Sequence, residues 1–244
     1  MSNGPEPMPA AELAVDAGFI RDLVDRSFPE YRNLSVEVVA NGWDNVVARL
    51  GPELAVRIPR RASAVPLVEH ELRWMPVLAA RIPLEVPDPI HRGEPDGRMP
   101  WAWSIVRWVD GVPADAAEAP SSIDCERMAA FLRALAVAAP DRAPANPFRG
   151  VPLANRHDRV TAALDRLGRG DRGRIEAIWY AGLDAEVYSG PPVWIHGDLH
   201  PANLIVRAGS LAGVVDWGDI AAGDPAADLQ VAWTWFDADG GAAL

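Results

Sequence analysis

The sequence predicts an α+β fold, in which a sheet-rich first part is followed by a mostly helical second part carrying one small hairpin. Three observations support this. Residues 34–58 read as successive strands with a Gly-containing turn among them. Beyond Pro113, apolar residues recur at helical spacing instead. Residues 193–215 then return to short apolar runs. Two of these are joined by a tight turn, with the polar side chains Asp198, Asn203 and Asp216 at their ends.

Taken in order, residues 1–10 are polar and Pro-rich, a loose end. Residues 11–28 are periodic enough for a helix, with Leu13, Phe19, Ile20, Leu23 and Val24 on one side. Residues 34–40 alternate like a strand and lead into Asn41-Gly42-Trp43-Asp44-Asn45. Residues 46–50 and 54–58 make two further strands about a Gly-Pro turn. Residues 66–80 read as a helix with Leu67, Leu72, Met75 and Leu78 as its apolar positions, which Pro76 should kink or split.

Residues 83–100 are dense in Pro and Gly, with a short strand at 90–92. Residues 102–109 are strand-like, and Asp110-Gly111-Val112-Pro113 breaks them. Helical patterning begins afterwards, so this is the best domain boundary in the chain. Residues 121–139 form a helix capped by Ser121 or Ser122, with Met128, Phe131, Leu132 and Leu135 recurring along it. A Pro-rich connection covers 140–155. Helices follow at 156–167 and 172–187, the second burying Ile175, Ile178, Trp179 and Leu183. After the hairpin, Asp224 is placed as an N-cap with Pro225 at the first helical position, and the helix should run to about residue 236.

Composition narrows the function classes. Apolar residues make up 49% of the 244, enough for a substantial core. No run approaches the roughly 18 to 20 uncharged apolar residues of a membrane span, and the N-terminus lacks the basic and apolar segments of a signal peptide. The single Cys125 excludes an intrachain disulfide and fits a reducing cytoplasm, so a cytoplasmic location is expected. A net charge of −11 argues against nucleic acid as the main partner, because phosphate binding needs a basic face. The same charge suits a polycationic substrate, and equally a surface charged for solubility.

The chemistry concentrates in residues 196–218. His196-Gly197-Asp198-Leu199 precedes Asn203, and Asp216-Trp217-Gly218 follows the hairpin. Phosphoryl transfer needs one carboxylate to orient the attacking hydroxyl. It also needs a carboxamide and a second carboxylate to hold Mg²⁺ against nucleotide phosphates. The protein-kinase catalytic loop has the same five-residue step from Asp to Asn and is followed by D-F-G. Gly197 replaces its Arg, and His200 its Lys. A competing reading takes His196-x-Asp198-x-His200 as the metal cluster of a hydrolase, which leaves Asn203 and Asp216-Trp217-Gly218 unexplained. His196 reads as structural, bracing the loop through backbone hydrogen bonds.

The run H-G-D-L-H-P-x-N, then D-W-G, then G-D-P-x-x-D-L (residues 223–229) resembles the aminoglycoside phosphotransferase family. The resemblance implies a protein-kinase-like two-lobe fold. A nucleotide-clamping N-lobe would span 1–109, a hinge 110–113, and a C-lobe with the catalytic loop and metal site 114–244. It implies that Asp198 takes the acceptor proton, that Asn203 and Asp216 ligate Mg²⁺, and that ATP or GTP is the donor. Gly42 would lie in the turn covering the phosphates. Arg57 would stand where the family carries Lys, paired with Glu69 or Glu71, of which Glu71 is favoured. The backbone of Arg107, Trp108 and Val109 would meet the base, and His200 would approach the transferred phosphate. Asp228 would brace the loop.

The implied acceptor is a small-molecule hydroxyl, aminoglycoside-like, with a macrolide, choline or sugar as alternatives. A nucleotide-binding module without turnover is a further reading. Family members usually continue with more helices, so a C-terminally incomplete chain is expected, with Trp233, Trp235 and Phe236 needing cover.

Overall fold

A computed structural model describes residues 8–236. Asp16 accepts a hydrogen bond from Phe19 N (2.8 Å) and so starts the first helix, α1 (Ala17–Ser27), six residues later than periodicity suggests. The preceding backbone is used elsewhere, Glu12 and Leu13 both donating N–H to the Arg60 carbonyl. Strands β1 (Val36–Asn41), β2 (Asn45–Leu50), β3 (Leu54–Pro59), β4 (Pro89–Gly93) and β5 (Trp103–Arg107) form one antiparallel sheet in the order β1-β2-β3-β5-β4. Ile20, Leu23 and Val24 of α1 pack on it with Val46, Ala48, Leu50, Trp103 and Ile105 as a first core.

Helix α2 (Val65–Ala79) crosses Pro76 without splitting. The proline sits in the last turn, where it removes one backbone bond, and Met75 and Leu78 on either side are fully buried. Those two residues, with Trp74, Ile82, Leu84 and Val86, belong to a second core. This core is completed by Met128, Phe131 and Leu135 of α3 (Ser122–Leu135) and by Trp194, Leu199, Leu204 and Trp217. Ser121 caps α3 in a full capping box with Asp124. The Asp124 carboxylate also accepts from Leu211 N (2.7 Å) and Ser210 Oγ (3.1 Å), tying the helix start to the hairpin.

The hairpin consists of β8 (Leu204–Arg207) and β9 (Ser210–Val214), turning through Ala208 (φ 52°) and Gly209 (φ 74°). This is the left-handed pair that matches the twist of flanking strands. Two short strands escape the sequence pattern. Val112–Pro113, expected only to break a strand, is β6 and pairs with β8, and Ala221–Gly223 is β10, paired with β7 (Val193–Ile195). Each is two or three residues long and is defined by partners distant in sequence, so no local period announces it.

Helices α4 (His157–Leu164) and α5 (Arg169–Asp184) differ from expectation in extent and in packing. No described α5 side chain is buried; Ile175 and Ile178 are 39% and 64% exposed, correcting the buried face assigned to them. Asp224 does cap the last helical stretch, accepting from Ala226 N (2.9 Å). That stretch is a 3₁₀ run, Pro225–Gln230, before the short α6 (Val231–Thr234). Trp235 and Phe236 pack on each other, while Trp233 is 79% exposed. Among the described residues, no helix is long and apolar enough to cross a membrane.

Candidate active site

The loop following β7 is held from beneath. Asp228, buried in the 3₁₀ run, accepts from His196 N (2.7 Å) and Gly197 N (2.8 Å). Burial pushes its carboxyl up, and the two N–H bonds pull against that shift. The fully buried His196 ring accepts from Asp198 N at Nδ1 (3.2 Å). Nε2 therefore carries the ring proton and donates to the Val215 carbonyl (3.0 Å). The ring meets Trp217 edge-on (centroids 4.7 Å), and Trp217 Nε1 donates to Val214 O. The loop after β7 and the Asp216-Trp217-Gly218 motif are thus one braced unit, with His196 as a strut. Gly197 lies at φ 85°, and a Cβ there would come within 2.7 Å of the Asp219 carbonyl. Glycine therefore stands where the kinase pattern has Arg.

Asp198 projects from this loop with its side chain 30% exposed. Arg149 Nη2 lies 2.5 Å from its Oδ1, and His200 Nε2 lies 3.5 Å from its Oδ2. Burial alone would raise the Asp198 carboxyl, but the hydrogen bond with His200 and the Arg149 charge hold it below the usual carboxylate value. The same bond pushes His200 up. Asn203 is buried and donates Nδ2 to the Asp198 carbonyl (2.9 Å), so its amide oxygen faces away from that carbonyl; its backbone carbonyl accepts from Val215 N. Asp216 sits at φ 62°, its side chain 56% exposed.

Arg57, on β3, is buried and bridges two carboxylates, Glu71 (2.8 Å) and Asp216 (3.1 Å). Glu71 is its helix partner, as favoured, and Glu69 pairs with Arg92 instead (2.6 Å). Burial pushes Glu71 up to about 7 while Arg57 pulls it down, and both carboxylates hold the Arg57 guanidinium charged. Gly218 packs beside Leu67 and Glu71 of α2.

Arg57, Asn203 and Asp216 line a cavity of about 440 Å³, a size suited to a small ligand. Gly42, Trp43 and Asn45 of the β1–β2 turn form its lid, and Val47, Ala55 and Ile205 form its apolar walls. The turn is fastened by Gly42 N to Asn45 O (2.9 Å) and by Arg60 Nη1 to Gly42 O (2.6 Å). Trp108 and Val109 close one end. Arg107 N and Trp108 N are already bonded, to Asp88 O and Glu53 O. Among the described residues, Val109 is the one of these three whose backbone N–H has no partner. The Trp108 ring lies under the Arg49 guanidinium, 4.9 Å from its centroid. Glu71 stands behind Arg57, and His200 turns to Asp198; neither is on the cavity wall.

Asn203 and Asp216 offer hard oxygen donors at the cavity edge. Among the described residues no three His, Cys, Asp or Glu side chains group as a metal site. The Asn203 and Asp216 oxygens suit an ion that takes one or two protein oxygens and completes its shell from phosphates and water. His196, with both ring nitrogens bonded to backbone, is taken up within the loop. Sequence reasoning missed Arg149, which lies in a stretch read only as a Pro-rich connection. Its one signal is the Arg-Gly step within that connection, because Gly150 adopts φ 62° against Gly223.

Comparison with known proteins agrees with this geometry. The profile described as the phosphotransferase enzyme family matches residues 35–244. A homoserine kinase of Methylocella silvestris is 30% identical over 158 residues, 58% of this chain. The chain thereby spans 46% of that relative's length. Among solved structures, the GDP and kanamycin complex of APH(2")-IIia aligns with a TM-score of 0.73 at 20% identity, over 92% of this chain and 80% of that one. The macrolide 2'-phosphotransferase MphH from Brachybacterium faecium aligns at 0.63 and 20% identity, over 93% and 80%. At these identities the likeness is one of fold, the protein-kinase-like two-lobe fold.

Proposed function

The chain belongs to the phosphotransferase enzyme family, and from that premise we propose that it moves the γ-phosphoryl group of ATP or GTP to a hydroxyl of a small molecule. The observation that carries the proposal is the convergence of Arg57, Asn203 and Asp216 on one cavity, with Asp198 bonded through its own carbonyl to Asn203. The nucleotide-bearing residues would come from a first lobe (1–109), the catalytic ones from a second (114–244), with 110–113 as the hinge.

In this reading Asp198 accepts the hydrogen of the acceptor hydroxyl and orients its oxygen toward the γ-phosphorus. The new O–P bond forms as the bond from that phosphorus to the β,γ-bridging oxygen breaks. The nucleoside diphosphate leaves with the bridging oxygen, and the hydroxyl proton passes to Asp198. Arg57, held by Glu71, neutralises phosphate charge. Its guanidinium offers a planar fork where the family has an ammonium. Gly42 lets the lid backbone approach the phosphates, and Val109 N–H is directed to the base edge. Asn203 and Asp216 would hold Mg²⁺, which supplies charge neutralisation at the phosphates when bound. His200 tunes Asp198 through their pairing and approaches the phosphate from that side. We place the reaction in the cytoplasm, in keeping with the lone Cys125.

For the acceptor, an aminoglycoside-like molecule is supported by the net charge of −11 and by the kanamycin complex of a fold neighbour. The homoserine kinase relative supports a smaller alcohol. Nucleotide consumption should be assayed against aminoglycosides, macrolides and hydroxy amino acids. Asp216→Ala should abolish turnover. Asp198→Asn should slow it about 10²- to 10⁴-fold, with nucleotide binding nearly unchanged. Full activity in either variant refutes the assignment.

A further inference from the structure

A second cavity, of about 770 Å³, shares no lining residue with the first; Gly197 and Arg149, which flank Asp198 in sequence and in space, form part of its wall. An acceptor whose hydroxyl reaches Asp198 would have its remaining groups here. The wall is built for fixed geometry. Asn146 Oδ1 accepts from Phe148 N (2.8 Å) and Arg149 N (3.1 Å), while its Nδ2 donates to Asp219 Oδ1 (2.7 Å). The loop is further tied by Asp224 N to Gly150 O (3.0 Å) and Ala222 N to Pro144 O (2.8 Å).

Two guanidinium groups stand in this wall, one paired with carboxylates and one not. Arg149 is shared between Asp198 (2.5 Å) and Asp219 (3.7 Å). Arg156 donates to the Phe148 carbonyl, but its Nε is buried without a partner. Among the described residues it makes no ion pair. The charges that act on it are those of Arg149 and Arg159; burial first, and then these two, hold it below the usual arginine range. The carboxylates on the same wall are Glu186 and Asp224; Asp224 spends one oxygen on the Ala226 N–H, and neither pairs with Arg156. Arg156 thus stands half-buried on the wall with no counter-charge among the described residues, and a guanidinium fork fits a carboxylate or a phosphate.

Resting on the phosphotransferase reading, we propose that the acceptor is an alcohol that also carries an acidic group, received by Arg156 and Arg149. Polycations suit this wall poorly, since Arg149 already occupies the side of Asp198 that an ammonium would seek.

The test is equilibrium binding to the full chain in the presence of Mg²⁺ and a non-hydrolysable ATP analogue. L-homoserine and glycerate serve as carboxylate probes, glycerol 3-phosphate as the phosphate probe, and homoserine amide and kanamycin as controls. At least one acidic probe should bind, and the amide and kanamycin more weakly; which acid binds identifies the source of the anion. Arg156→Gln should weaken that binding about 10- to 100-fold, the worth of a charge-assisted pair, and Arg156→Lys should weaken it less while preserving the fold. Failure of every acidic probe, equal or tighter binding of kanamycin, or unchanged affinity in Arg156→Gln overturns the proposal. Binding of the ATP analogue is read separately: its loss with the anion site intact would sink the phosphotransferase reading instead.

Discussion

Arg57 is buried between Glu71 and Asp216, and its surroundings give the site a pH signature. Burial raises Glu71 from 4.5 to about 7, so the folded chain keeps a proton that the unfolded chain releases in that interval. The stability contributed by this group is complete below 4.5 and lost as pH rises through about 7. Glu71→Gln, neutral throughout, should flatten that slope, so its stability relative to the parent improves between about pH 5 and about pH 8 in urea titrations. Glu71→Ala instead strands a buried cation and should cost about 3 kcal/mol, with Asp216 as the sole remaining partner. His200 gives an independent reading of Asp198. Its pKa is raised by the bond to that carboxylate, so Asp198→Asn should move it back toward 6.5 in an NMR titration.

The loop between β7 and β8 owes its shape to an element that follows it in sequence. Asp228 lies in the 3₁₀ run after β10, yet it holds the N–H groups of His196 and Gly197, and Gln230 Nε2 donates to Leu199 O (3.0 Å). Asp228→Ala leaves two N–H groups unpaired in a buried setting and should cost about 2 kcal/mol. Hydrogen exchange should then quicken at His196 and Gly197, and turnover should fall more than nucleotide affinity. Asp228→Asn, which keeps one acceptor oxygen, should lie between. Asp124 works the same way in the hairpin, capping α3 with one oxygen and holding Leu211 N with the other.

Two cores, with α2 built into the second and joined to the sheet of the first by an ion pair, make the cleft a place where a ligand can tie the lobes together. Glu71 meets Arg57 of the sheet, while Trp74, Met75 and Leu78 on the same helix pack into the second core. A nucleotide held by Arg57 above and by Asn203 and Asp216 below should therefore stabilise the whole chain. At a hundred times its Kd the gain is about 2.7 kcal/mol, visible as a rise in Tm with Mg²⁺ and nucleotide. Asp216→Ala should remove the magnesium-dependent part of that rise. An unchanged Tm in the parent protein would contradict the cleft assignment.

Residue order alone picked out the candidate set. The five-residue step from Asp198 to Asn203 and the Asp216-Trp217-Gly218 that follows are short-range patterns, as are the capping signals at Ser121 and Asp224, and all are readable without coordinates. Local periodicity likewise announced β1 to β3, α2 and α3. Only the tertiary structure decided which helix carboxylate meets Arg57, that β6 and β10 are strands at all, that Ile175 and Ile178 face outward, and that Arg149 lies against Asp198. Each of those depends on contacts between segments far apart in the chain. A helical stripe specifies a face but not what covers it, and a two-residue strand is defined by its partner alone.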